Sequence, residues 1–308
     1  MSEPVAPRWG SLVLIVGVSA TAWAAIFVKL SQEAPPLTIA AYRMLFATGV
    51  LGAVAAVGLV RGVDRLPRRA TWAWLALSGT LLAGHFWSWF ASLERTSVGS
   101  SVVIVAMQPL LAAALAFLFL RERPSTSEYL GIALATVGLL IIGGRDFAQS
   151  PGQLGGDGLA LLGGLLAAAY RTVGRRLRPD MSAAIYSAGV YAVAAAVLWT
   201  LVAAFRPEPS GFGAQTWTFI ILLALVPQVI GHTAFNWALA HFRVVRVSIA
   251  NMGEPVAATL LAIPILGERP SVAVVFGGLL ILLGVAIGLF GRPRRLRPAQ
   301  QPLVDSSN

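Results

Sequence analysis

The chain is 308 residues long, 57% hydrophobic and only 12% charged, with a formal net charge of +10. A water-soluble protein of this size needs about a quarter of its residues charged to cover its surface, so a soluble globular domain is excluded. The absence of cysteine excludes disulfides, thiolate metal sites, iron–sulfur clusters and cysteine catalysis.

The apolar residues fall in continuous runs long enough to cross a hydrocarbon core, which takes about 20 helical residues. Within lipid each run must pair its own backbone groups, so each is a helix. The runs are not alternating, which argues against transmembrane strands. In chain order the expected spans are 10–31, 36–60, 70–92, 97–120, 126–144, 157–177, 181–204, 215–240, 246–266 and 271–291. They are separated by turn and charge signals: Pro35-Pro36, Arg61 to Arg69, Arg121 to Pro124, the Gly-rich 151–158, Pro179-Asp180, Arg206 to Pro209 and Gly267 to Pro270. The first run lacks a strongly basic start and more spans follow at once, so it reads as a span, not a cleaved signal. The tail from Pro298 to Asn308 is polar and Pro-containing and is expected to be disordered.

The positive charge sets topology; it is not a nucleic-acid footprint. With the N-terminus inside, the cytoplasmic segments hold 17 Arg and the opposite side 5 Lys or Arg, and Arg43 lies within a span. The cytoplasmic count includes Arg8, Arg61, Arg171, Arg175, Arg176, Arg178, Arg243, Arg246 and the Arg292 to Arg297 cluster. This excess places both termini in the cytoplasm.

The two halves repeat. At an offset of 147 residues Gly17 matches Gly164, Trp23 matches Tyr170, Lys29 matches Arg176, and Gly84-His85 matches Gly231-His232. At 146 Pro109 matches Pro255, Glu122 to Ser125 matches Glu268 to Ser271, Gly131 matches Gly277 and Gly138 matches Gly284. Each half has five spans, an odd number, so the halves lie in opposite orientations. Such an inverted repeat supports alternating access, with a site near the midplane between the repeats. The fold expected is an all-α membrane protein of ten transmembrane helices, two inverted five-helix repeats around a central cavity. The repeats occupy 1–150 and 151–293, followed by a cytoplasmic tail, 294–308.

Trp23 to Gly52, the RERP at Arg121 to Pro124, the GERP at Gly267 to Pro270 and the Glu254-Pro255 pair resemble the drug/metabolite transporter superfamily in its EamA-type branch. The resemblance covers about 10–291. It implies a ten-helix bacterial inner-membrane carrier, and its amino-acid exporter subgroup, including exporters of aromatic amino acids, is the nearest in kind.

Polar groups deep in a membrane are costly and usually face the protein interior. Glu254 lies about eight residues into the ninth span, where it can carry a proton, bind a ligand, or simply pair with Arg43 or end a helix. Pro255 favours a kink beside it. Their repeat mates are Gln108 and Pro109, a neutral copy of the same arrangement. His85 and His232 occupy matching positions and titrate near neutral pH, so all three of Glu254, His85 and His232 are candidates for proton coupling. A third ligand at metal-binding spacing is missing, and no metal or other cofactor is expected. Arg43 can hold a substrate carboxylate with its planar fork; pairing or snorkelling is the plainer explanation. Trp23, Trp89, Tyr170, Asn236, Trp237 and Asn251 complete the set of residues able to line a cavity by stacking or amide hydrogen bonding, though an indole or amide can also just join helices. Trp9, Trp72, Trp74 and Trp217 lie near span ends and read as interfacial anchors. Glu122 and Glu268 read as helix-end or ion-pair residues. Gly131, Gly138, Gly277, Gly284 and Gly288 give small faces that pack either one protomer or a homodimer.

The function expected is a secondary transporter exporting amino acids or similar small polar metabolites by alternating access, or alternatively a carrier of nucleosides, sugars or amphipathic compounds in the same fold, with lipid and a small-molecule substrate as its partners. No GxxxxGK[ST] loop is present to couple ATP directly. An intramembrane enzyme handling metal-bound phosphates needs clustered acids, whereas Asp64, Asp146, Asp157 and Asp180 are isolated. A passive channel is the third class. A carrier of larger anions, such as nucleotide sugars, predicts several cavity cations, and Arg43 is the one found within a span.

Overall fold

The computed structural model describes residues 7, 9–31, 33–93, 95–96, 98–149, 154–267 and 269–291. Arg8, the loop residues 151–153, Glu268, the Arg292 to Arg297 cluster and the tail lie outside them. Among the described residues the chain is all-helical. Its ten helical rods are α1 (Gly10–Thr21 and Trp23–Lys29), α2 (Pro36–Val60), α3 (Arg69–Leu93), α4 (Val98–Ala106, Gln108–Leu115 and Ala116–Leu120) and α5 (Thr126–Gln149) in the first half. The second half has α6 (Leu154–Leu177), α7 (Ala183–Phe205), α8 (Ala214–Leu223, Ala224–His232 and Thr233–His241), α9 (Val244–Asn251 and Glu254–Leu266) and α10 (Val272–Phe290).

Eight of the rods are apolar enough to cross a membrane. The other two, α3 and α6, are as long at 25 and 24 residues, but α6 carries Arg171, Arg175 and Arg176. The burial pattern is inside out. Val54, Leu118, Phe119, Leu260, Phe276 and Leu279 are exposed, while Arg43, Ser78, Ser88, Gln228, Asn236 and Ser248 are buried. Lipid solvates the apolar exterior, and buried polar groups find partners between helices.

Helix pairing follows the repeat. α5 packs on α10 and α2 on α7, each rod against its own mate. The α3–α6 pair is matched by α8–α1, α3–α7 by α8–α2, and α4–α6 by α9–α1. Exchanging the halves therefore carries each of these pairs onto another of them, as expected of a two-fold inverted repeat. The glycines mark the axis. A Cβ added at Gly131 would strike the Gly284 carbonyl, and one at Gly277 would strike that of Gly138. Gly284 and Gly138 stand in the reciprocal relation. These glycines thus pack α5 against α10 within one chain.

Local signals repeat in the same way. Ser125 and Ser271 cap α5 and α10, accepting from the backbone N–H groups of Glu128 (3.3 Å) and Val274 (3.4 Å). Glu128 also reaches back to the Ser125 N–H at 2.6 Å, completing a capping box. α4 and α9 end on the left-handed residues Arg121 (φ 56°) and Gly267 (φ 67°), also repeat mates.

Candidate functional site

Three helix irregularities open the centre. α4 breaks at Met107 and resumes at Gln108, with Pro109 in its first turn. α9 breaks at Met252-Gly253 and resumes at Glu254, with Pro255 in its first turn. Proline lacks an N–H and fits a helix start, where no intrahelical acceptor is needed. Each break therefore places one polar side chain, Gln108 or Glu254, at the head of a half-helix. The third irregularity is in α8, which widens to a π-helix over Ala224–His232 around Pro227, a distortion common at functional sites.

Between the halves lies a cavity of about 100 Å³. Of the residues singled out from sequence, Arg43, His85, Trp89, Gln108, Tyr170 and His232 line it, as do Asn251, Glu254 and Pro255. The others lie behind or away from it. Asn236 is buried in the next layer, where it accepts from the Tyr170 hydroxyl and donates to Ser187 (2.9 Å) and Tyr191 (3.2 Å). Trp23 stacks on Phe27, centroids 5.5 Å apart, and Phe27 lies 5.9 Å from Phe219. Trp237 is sandwiched between Trp9 (4.7 Å) and His241 (4.0 Å). Pro109 is buried at its half-helix start.

The Arg43 side chain is 1% exposed. Its Nε donates to the Gln228 side-chain oxygen at 2.9 Å and its guanidinium lies 4.6 Å from the Phe86 ring centre. Phe86 stands between the histidines, 4.9 Å from His85 and 6.0 Å from His232. His85 Nδ1 is 2.9 Å from the Gly163 carbonyl. A carbonyl only accepts, so Nδ1 carries the proton and Nε2 of the neutral ring is left as an acceptor. Thr21 and Asn251 stand beside the Glu254 carboxyl. No ion pair joins Arg43 to Glu254 among the described residues, and no cluster of three His, Asp or Glu poised for a metal occurs among them.

Arg171 is the residue that sequence reasoning missed. Counted with the cytoplasmic arginines, it instead lines the cavity, 5% exposed. Removing it from the topology count leaves the sign of that count unchanged. The signal was present: Arg171, Arg175 and Arg178 recur at helical spacing and are buried, whereas Arg176 is exposed. Arg175 pairs with Glu122 at 3.1 Å and donates to the Leu239 carbonyl at 2.9 Å. Arg178 donates to the Asn236 carbonyl at 2.8 Å. Arg175 thus satisfies a free carbonyl at the end of α8, and Arg178 bonds a carbonyl about one turn earlier. Arg171 has a 3.5 Å contact to Ser248 and lies 5.5 Å from the Phe235 ring.

A helical membrane fold of two exchanged halves, with a cavity where they meet, is the arrangement found in secondary transporters. A search of family models agrees: residues 8–144 and 154–290 each match the EamA-like transporter family, one match per half. The chain belongs to that family. Among curated proteins it is similar to the uncharacterized transporter YyaM of Bacillus subtilis (strain 168), 27% identical over 205 residues, covering 64% of this chain and 66% of that one, just under two thirds of its length. It is also similar to the uncharacterized transporter YwfM of the same strain, 22% identical with 87% and 89% covered. An uncharacterized transporter of Archaeoglobus fulgidus is 22% identical, with 89% and 97% covered. One solved structure shares the fold with a TM-score of 0.76 over 93% of this chain and 99% of that chain, at 22% identity.

Proposed function

We propose that this protein is a secondary transporter of the inner membrane, not an enzyme. It exports amino acids or similar small polar metabolites by alternating access, with both termini in the cytoplasm. The observation that carries this reading is the position of the cavity, between pseudo-symmetric halves and at two matching helix breaks that place Gln108 and Glu254 on its wall. Rocking one half against the other opens such a cavity to either side in turn. Glu254 and the two histidines are the groups assigned to proton coupling. A second reading, a carrier of organic anions, draws support from Arg171 as a second cavity cation.

The test is counterflow of labelled Phe, Trp, Thr and Met in proteoliposomes, with and without a pH gradient. Saturable exchange supports the reading, and loss of the pH response in Glu254→Gln with binding retained supports coupling. An unchanged response in that variant and in both His→Ala variants refutes coupling. No exchange across the panel by inserted, folded protein removes the amino-acid assignment.

A further inference from the structure

Three side chains that line the cavity each carry a buried nitrogen with no acceptor among the described residues: Arg43 Nη2, Trp89 Nε1 and Gln108 Nε2. All three are donors, and they come from three different helices of the first half. A buried donor without an acceptor is costly, and three unmet donors on side chains that line one cavity match a ligand rich in acceptor oxygens.

Charge gives the same answer independently. Arg43 and Arg171 are both nearly fully buried, and Glu254 is the lone carboxylate on the cavity wall. Counting Arg43, Arg171 and Glu254 alone, the cavity wall carries one formal positive charge in excess. Buried charge of that kind is tolerated when a counter-charge can be brought to it.

The repeat locates where that charge belongs. Glu254 and Gln108 are mates at the heads of the half-helices of α9 and α4. A half-helix start favours negative charge. In α9 the chain supplies that charge itself; in α4 it supplies an amide with an unmet N–H.

We propose that Arg43, Trp89 and Gln108 form a carboxylate subsite, with Arg171 as further counter-charge, and that the substrate's carboxylate takes at Gln108 the place that the Glu254 carboxylate holds in the other half. The ligand class is a small organic acid, 2-amino or 2-hydroxy. Its opposite end faces Glu254, Thr21 and Asn251, which accept from an ammonium or hydroxyl group. This deepens the transporter reading and rests on it for the word substrate; the subsite itself is tested by binding.

The experiment uses the purified full chain in nanodiscs and a matched series: phenylalanine, phenyllactate, phenylalaninamide and phenethylamine, with sodium chloride and inorganic phosphate as simple anions. The readout is protection against thermal unfolding, alongside counterflow of the same compounds. Both acids are expected to protect, and the amide and the amine to need at least about tenfold higher concentration, the loss expected for a charge-assisted hydrogen bond. Gln108→Glu is expected to raise the unfolding temperature without ligand and to abolish the response to acids, because it builds the missing carboxylate into the chain. Gln108→Leu, which needs no buried charge, is expected to weaken the acids about tenfold or more and leave the amine unaffected. Equal protection by amide, amine and acid overturns the subsite, as does equal protection by chloride or phosphate. No protection by either acid together with no stabilisation in Gln108→Glu overturns it too. Counterflow that ignores the carboxylate leaves the transporter reading standing and removes the subsite. Acid-specific protection without counterflow leaves the subsite standing and removes these acids as transported substrates.

Discussion

Glu128 offers a stability test with a magnitude that follows from its contacts. The side chain is 0% exposed and holds three donors: Ser125 N at 2.6 Å, Arg243 Nη2 at 2.9 Å and Arg246 Nε at 3.2 Å. It fastens the start of α5, in the first half, to the α8–α9 corner of the second. Glu128→Gln keeps the size and one acceptor oxygen but removes the charge. Breaking a fully buried ion pair by removing one partner costs about 3–5 kcal/mol. Here Arg243 and Arg246 keep side-chain exposures of 15% and 24%, so water recovers part of that loss. The expected destabilisation is about 2–4 kcal/mol, well above the roughly 0.5 kcal/mol of an ordinary surface substitution. Equilibrium unfolding in mixed micelles against increasing SDS measures it. Because the chain has no cysteine, Val244→Cys introduces a unique label at a buried position beside Arg243. Its modification is expected to be faster in the Glu128→Gln background. A destabilisation below about 0.5 kcal/mol with unchanged labelling would refute the reasoning, since the pairs would then be as weak as exposed ones.

Gly284→Val drives a side chain into the Gly131 carbonyl and Ala135; about 1–3 kcal/mol is expected to be lost in the same unfolding assay, and wild-type stability would place α5 and α10 further apart than described. Glu33 accepts from Gly213 N–H (2.9 Å) and Thr216 Oγ1 (2.8 Å) at the start of α8, and these donors lower its carboxyl pKa below the ordinary 4.5. A lowered folded pKa gives stability that is present above the ordinary value and lost as pH falls through the folded one. Amide protection at Gly213–Thr216, measured by hydrogen exchange and corrected for intrinsic rates, is therefore expected to fall only in acid below pH 4.5, with Glu33→Gln showing no such step. Arg121 occupies the left-handed position that Gly267 fills in the other half, so Arg121→Gly is expected to stabilise by up to about 1 kcal/mol; a loss of stability would mean that its side chain holds contacts worth more than the backbone relief.

The rods, their order and the repeat were legible in sequence because a membrane span is a length of apolar residues and a repeat is a register. What was not legible depends on which way a side chain points. Composition places Arg171 in a basic segment, yet its helical phase turns it inward with Arg175 and Arg178. Trp237 has a residue type and depth that suit a cavity, but the rings of Trp9 and His241 enclose it. The proline of each EP or QP pair announces a kink; the kink's consequence, a polar residue at the head of a half-helix, appears only when the break is seen one residue before Gln108 and two before Glu254. The π-helical stretch around Pro227 had no sequence signal beyond the proline itself. The glycines of α5 and α10 fitted one chain or two equally well until their facing carbonyls were identified.

The halves are alike in scaffold and unlike in charge, and that difference carries mechanistic weight. Gly131 and Gly277, Gly138 and Gly284, Pro109 and Pro255, and His85 and His232 preserve packing, kinks and aromatic edges on both sides of the axis. The cavity charges have no such counterparts: Glu254 faces Gln108, Arg43 matches Val190, and Arg171 matches Ala24. A scaffold symmetric under exchange of its halves gives two access states of similar packing energy. A ligand or proton then shifts their balance only through differential affinity for the two. Residues present in both halves contribute alike to both states and cancel to first order, whereas a charge present in one half does not. On the alternating-access reading, the bias between the two access states therefore resides in the unmatched residues Glu254, Arg43 and Arg171, while Glu254 and the matched histidines remain the groups assigned to proton coupling.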